Sequence, residues 1–190
     1  MKNEIVEILV EEPSMRNFLN ELLPKILPEG YILNGNCFIR AHQGKHDLQK
    51  SIPRKVIAFQ HQSTPYKVII VQDQDSNDCK VLKSHLQSLI VDNSPVPVLI
   101  RIVCRELESW YIGDMKAISM VYSGFKAERY INWAKFRIPD NCNASDELRK
   151  LIPTFQKGYA SKEISRYIDI DNNKSESFNQ FVSGIKRFLS

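Results

Sequence analysis

The strongest constraint on this chain is a set of short, almost wholly apolar runs separated by helix-sized segments. Ile5–Val10 reads I-V-E-I-L-V, Tyr66–Gln72 reads Y-K-V-I-I-V-Q, and Val98–Cys104 reads V-L-I-R-I-V-C. Runs of this length, rich in Val and Ile, fit strands buried on both faces. Parallel strands cannot be joined by tight turns and need a helix-sized crossover. The pattern therefore predicts an α/β fold with a mostly parallel sheet and helices on both faces.

The intervening segments carry helical spacing. Pro13 and Ser14 supply helix-start chemistry for Met15 to Leu27, where Phe18, Leu19, Leu22, Leu23 and Ile26 recur at intervals of three and four. Tyr31 to Ala41, broken by Asn34-Gly35-Asn36, reads as an irregular strand. Lys45 to Gln60 reads as a helix that Pro53 must bend or divide. A helix from about Asn77 to Val91 would place Val81, Leu82, Leu86, Leu89 and Ile90 on one stripe, and another is expected to begin at Glu106. Residues 1–122 are read as the α/β core and 123–190 as a small helical C-terminal extension. The last helix of that extension buries Phe178, Phe181, Val182, Ile185 and Leu189.

Among 190 residues, the four cysteines (Cys37, Cys79, Cys104 and Cys142) lie far apart with no C-x-x-C pair, as buried free thiols in a reducing cytosol would. The first residues, with Glu4, Glu7, Glu11 and Glu12, lack the basic start of a secretory signal, and no segment reaches the roughly 20 apolar residues of a membrane span. A cytoplasmic protein without membrane contact is expected. The net charge of +4 lies in the last third: residues 1–119 hold 14 basic and 14 acidic side chains, residues 120–190 hold 12 and 8. That asymmetry is compatible with a nucleic-acid partner, and a merely soluble surface explains it equally well.

Acidic residues follow three of the strands: Glu11-Glu12, Asp73-x-Asp75 and Glu106-x-Glu108. Ligands of open parallel sheets bind outside the carboxyl ends of the strands, where these groups would meet. In extended backbone the i, i+2 spacing turns both members of a pair the same way. Crowded carboxylates repel one another unless a cation neutralises them, and oxygen-only ligands select Mg²⁺ or Mn²⁺. Asp75 or Ser76 could instead cap the following helix. His42, Lys45 and His46 read as a solvated polar loop or as contacts to a phosphate. Trp110 and Tyr111 read as core aromatics or a base-stacking surface, and Arg101 and Arg105 as partners of the acids.

With these residues in view, the chain resembles Toprim domains. I-L-V-E-E at 8–12 with V-I-I-V-Q-D-Q-D at 68–75 is similar to the Toprim pattern of a glutamate after the first strand and a D-x-D after a later one. Topoisomerases, primases and nucleases of the overcoming-lysogenisation-defect type share that domain. E-E-P-S with F-L-x-x-L-L-P (11–24), G-K-x-D-L (44–48), D-x-D-x-x-D-C (73–79) and R-E-L-E-S-W-Y-I-G-D (105–114) are similar, more narrowly, to a bacterial family of Toprim-like proteins. Its genes often neighbour ATPase genes in phage-defence settings.

The resemblance implies a Toprim-like or Rossmann-like sheet and a metal-dependent phosphodiester hydrolase. Glu11, Asp73 and Asp75 would be catalytic and, with Glu106, would ligate Mg²⁺ or Mn²⁺. Glu12, Asp78, Glu108, Lys45 and His42 are secondary candidates. The Toprim glutamate is usually followed by glycine, whereas Glu12 and Pro13 follow here, which leaves Glu11 and Glu12 as alternatives. A non-enzymatic partner or sensor subunit of an ATPase complex is the other function the family setting implies.

Overall fold

A computed structural model describes residues 1–190. Four strands, β1 (Ile5–Val10), β2 (Cys37–Ala41), β3 (Tyr66–Asp73) and β4 (Val98–Val103), form one sheet in the order β2-β1-β3-β4. Every neighbouring pair is parallel. The connecting helices are α1 (Pro13–Ile26), α2 (Lys45–Gln60) and α3 (Cys79–Ser88). From β1 the chain moves one way along the sheet to β2, then crosses back over β1 to β3 and on to β4. Because such crossovers are right-handed, α1 must cover one face and α2 and α3 the other.

The alternation of side chains along the strands bears this out. Val6, Ile8, Val10, Ile69, Val71 and Val103 join a large core with α1 and the C-terminal helices. Leu9, Val68, Ile70 and Ile100 turn to the opposite face and pack on Leu48, Ile52 and Val56 of α2 and on Leu82 and Leu86 of α3. No helix is long and apolar enough to cross a membrane.

The chain continues through α4 (Glu108–Gly113), α5 (Met115–Val121), α6 (Ala127–Tyr130), α7 (Ala144–Leu151), α8 (Lys157–Glu163) and α9 (Glu176–Leu189). Phe178, Phe181, Val182, Ile185 and Leu189 of α9 are buried, as their spacing predicts. They enclose Trp110, whose ring lies 5.2–5.4 Å from those of Phe18, Phe178 and Phe181 and whose Nε1 donates to Ser177 Oγ at 2.9 Å. Trp110 and Tyr111 are fully buried, so they are core aromatics and offer no stacking surface. Asp140 accepts from the Ser177 amide and the Ser175 hydroxyl, tying the start of α9 to the preceding loop.

Several local expectations are corrected. Only Cys37–Ala41 of the second segment is strand; the Asn36 side chain accepts from the Ile32 amide and donates to the Lys2 and Gly30 carbonyls, stitching residues 30–36 into a turn. Pro53 leaves α2 a single run of 16 residues. Val81, one position before Leu82 on α3, is turned away from the sheet and 67% exposed; Leu82 and Leu86 are the buried residues of the helix, and Leu89 and Ile90 pack on the same core from just past its end. Ser14 lies inside α1 and makes no cap, Glu12 occupying that position without a side-chain bond. All four cysteines are free, but only Cys37 and Cys142 are buried.

Truncating the aromatic that joins α1 to this core tests the packing. Phe18→Ala should cost about 3–5 kcal/mol in urea unfolding, while Val81→Ala on the exposed side of α3 should change stability by less than about 0.5 kcal/mol.

Candidate functional site

The strand order reverses between β1 and β3, the crevice where open α/β sheets take their ligands. Val10 pairs with Val71, so the first residues beyond β1, Glu11 and Glu12, run beside the last residues of β3, ending at Asp73. Asp73 shares the side of Ile69 and Val71, and so faces α1, α4 and α8. It is 8% exposed. Burial, followed by the charges of Glu108, Glu11 and Glu12, pushes its carboxyl well above the ordinary carboxylate range.

Three other acids converge on it. Glu11 Oε2 is buried with no hydrogen-bond partner, and burial reinforced by Asp75 and Glu12 raises its carboxyl to about 6. Glu108, the first residue of α4, is 2% exposed; its Oε2 is likewise unpartnered, and burial raises it to about 7 against the pull of Lys157. Glu12 stands at the rim, half-exposed, with its Oε1 3.8 Å from Lys157 Nζ.

Lys157 opens α8, a helix packed along α1, and this packing carries its ammonium in among the acids, 3.7 Å from Glu108 Oε1. Burial works against the charge on Lys157, but Glu108, Glu12, Asp73 and Glu106 outweigh it and raise the ammonium. Nothing in the sequence marks this lysine. It follows Phe155-Gln156 outside any motif, and only the tertiary contact of α8 with α1 gives it a role.

The predicted pairs do not act as pincers. Asp75 and Arg105 both adopt left-handed backbone, with φ of 53° and 58°, so the alternation of extended chain breaks at both loops. Asp75 turns out to the surface, 3.3 Å from Lys45 Nζ. Glu106 Oε1 accepts the Ser145 amide at 2.7 Å, while Glu108 points into the cluster. Asp78, and neither Asp75 nor Ser76, caps α3, accepting the Lys80 and Val81 amides at 2.9 Å. His42 is buried between the Val10 carbonyl and Ser51 Oγ, at 2.9 and 2.8 Å, and is a structural brace. Arg101 packs against Gly184 of α9, its Nε unpartnered, and Arg105 bonds Asn143; neither pairs with an acid.

The donors are all carboxylate oxygens, two of them orphaned, which fits a hard divalent cation in kind. As the side chains stand, no group of three or more His, Cys, Asp or Glu is arranged to hold one.

Residues 10–186 match the family described as a domain of unknown function, DUF4276. The chain belongs to that family. No curated protein matches it in sequence. Its fold is similar to a solved structure of the C-terminal region of the Burkholderia pseudomallei OLD protein, with a TM-score of 0.56 and 14% identity over 97% of this chain and 98% of that one. The likeness extends over the parallel sheet, its flanking helices and the C-terminal helices alike.

In this DUF4276 chain the raised carboxyls make a measurable statement about stability. Glu108 binds more protons folded than unfolded between its ordinary value of 4.5 and about 7, so its contribution to stability falls as pH rises through that window. At about 1.4 kcal/mol per pH unit, Glu108→Gln in EDTA should be more stable than wild type by up to about 3 kcal/mol at pH 8. That advantage should disappear towards pH 4.5; urea melts that stay parallel at every pH would remove the case for a buried, uncompensated Glu108.

Proposed function

We propose that the chain is a divalent-metal-dependent phosphodiester hydrolase, a nuclease-like domain of Toprim type. The observation that carries this reading is the set of buried carboxylates at the strand-order reversal, Asp73, Glu11 and Glu108, with more negative charge than Lys157 alone can match. Burying unmatched charge is costly, and a fold retains it where the charge has a task. The fold shared with the OLD C-terminal region supports the same class.

Asp73, Glu11 and Glu108 are the residues that would hold Mg²⁺ or Mn²⁺, with Glu12 and Asp75 at the rim. When bound, such an ion supplies charge neutralisation at a phosphate oxygen and a more acidic water. The chain's own groups supply the rest. The raised carboxyls of Glu11 and Glu108 belong to the cluster without a cation, and a bound ion would draw both back to the ionised form that ligates it. The Lys157 ammonium, already seated beside the acids, can shift to a non-bridging phosphate oxygen and offset the repulsion between substrate and carboxylates. In a phage-defence setting the hydrolase would serve as an effector.

A second reading, a non-enzymatic partner or sensor subunit of an ATPase complex, is favoured by one observation: Lys157 already neutralises Glu12 and Glu108 from within. Metal separates the two. The hydrolase reading expects Mg²⁺ or Mn²⁺ to raise the melting temperature and support cleavage of plasmid, single-stranded DNA or RNA. Asp73→Asn should lose both effects, with cleavage reduced at least about 100-fold and the circular dichroism spectrum kept. Equal cleavage by Asp73→Asn and wild type overturns the mechanism; no metal response together with ATPase association that Asp73→Asn leaves unchanged establishes the partner reading.

A further inference from the structure

A groove of about 660 Å³ opens beside the acids, running from the Gln74–Asn77 loop to the start of α7, and its lining contains no hydrophobic residue. Arg105, Arg149 and Lys157 face it together with three acids, each already engaged: Asp75 by Lys45, Glu106 by the Ser145 amide and Asp146 by Arg149. At Arg105 and Asn143 it meets a second cleft, which carries Lys135 and Arg137. These cations come from the last third of the chain, where the excess positive charge lies, and from the loop after β4.

The cations are not equally free. Lys135 is held by Glu147, and Arg149 lies 3.5 Å from Asp146. Arg105 makes no ion pair; its guanidinium donates to Asn143 Oδ1 and is otherwise open to the junction of the two clefts. Its left-handed backbone, unusual for an arginine, is held by two bonds, from the Asp75 amide to its carbonyl at 2.8 Å and from its own amide to Gln74 Oε1 at 3.0 Å. A second, independent feature points to a ligand. Ser145, a residue of the groove wall only 5% exposed, buries its hydroxyl with no partner, while the amide of the same residue is taken by Glu106. A buried donor without a partner in the wall of a polar groove is costly unless something completes it.

We propose that this groove carries the sugar-phosphate backbone of a nucleic-acid strand to the acid cluster, with Arg105 clamping a phosphate where the clefts meet and the Ser145 hydroxyl as a second donor. What happens to the strand at the acids rests on the hydrolase reading; the binding does not. Guanidinium and hydroxyl donors in a lining without apolar walls contact phosphates and sugars and leave base edges unread, so recognition is independent of sequence and sensitive to salt.

The test is fluorescence anisotropy of labelled single-stranded DNA, duplex DNA and RNA oligonucleotides with the full chain in EDTA, which separates binding from cleavage, over a range of salt concentrations. Arg105→Asn keeps a residue that tolerates left-handed backbone and removes the charge. It should weaken binding about tenfold or more for every sequence of the preferred strand type and lower the log–log salt slope by about 1, while Arg105→Lys should retain the slope. Arg149→Ala, on a solvated face of α7, gives the same test with little risk to folding and should show a smaller loss. The three probes distinguish DNA from RNA and single strands from duplex. Affinity and slope unchanged in both neutralised variants, or no binding of any probe by the wild type at low salt, overturns the proposal. Failure of the hydrolase reading looks different: the groove binds, and Mg²⁺ or Mn²⁺ brings no cleavage.

Discussion

A parallel sheet directs every strand the same way, and the rest of this structure depends on that. With no hairpins available, each strand is returned by a helix, and all four carboxyl ends lie along one edge. The order β2-β1-β3-β4 adds a second constraint. Because the chain leaves β1 in one direction and β3 in the other, the helices that follow them part to opposite faces and leave a gap between Glu12 and Asp73. The large core under α1 then anchors α8 and α4, and those helices close the gap from the side with Lys157 and Glu108. The acids are therefore gathered by strand order and core packing together, neither sufficient alone.

The energetics of that gathering run against folding. Asp73 and Glu108 are almost removed from water, and repulsion among the carboxylates adds to the cost of burial. One ammonium offsets part of it. Elsewhere the chain avoids such expense: Glu7 is buried at 5% exposure but meets Arg40 through two hydrogen bonds of 2.8 and 2.9 Å. The contrast within one sheet, a charge fully matched on β1 and a cluster left unmatched past its end, separates structural carboxylates from those retained for another purpose.

Much of the fold was legible because strands buried on both faces must be apolar throughout, so β1, β3 and β4 announce themselves in sequence, and α9 does so by its five inward residues. The site was legible only to the level of which loops carry acids. Which acid turns inward depends on the left-handed residues Asp75 and Arg105, and an aspartate or arginine in sequence gives no sign that its φ is positive. That conformation sends Asp75 to the surface and brings Glu108 in while Glu106 takes an amide. Asp78 is the cap because α3 starts at Cys79, two residues after the expected Asn77. Lys157 was invisible, since its meaning comes from a helix packing 145 residues beyond Glu12 in the chain.

The two left-handed loops are also bonded to each other. The Gln74 amide reaches the Val103 carbonyl, the Asp75 amide reaches the Arg105 carbonyl, and the Gln74 side chain takes the Arg105 amide, so the β3–β4 ladder continues past the last regular strand residues. Loops at a sheet edge ordinarily wander independently, and each must be ordered when a ligand arrives. Here the turn after Asp73 and the turn before Glu106 form one laced unit, so the conformational entropy of fixing their separation is lost during folding and little of it remains to be lost on binding. A ligand spanning both turns meets a ruler already set.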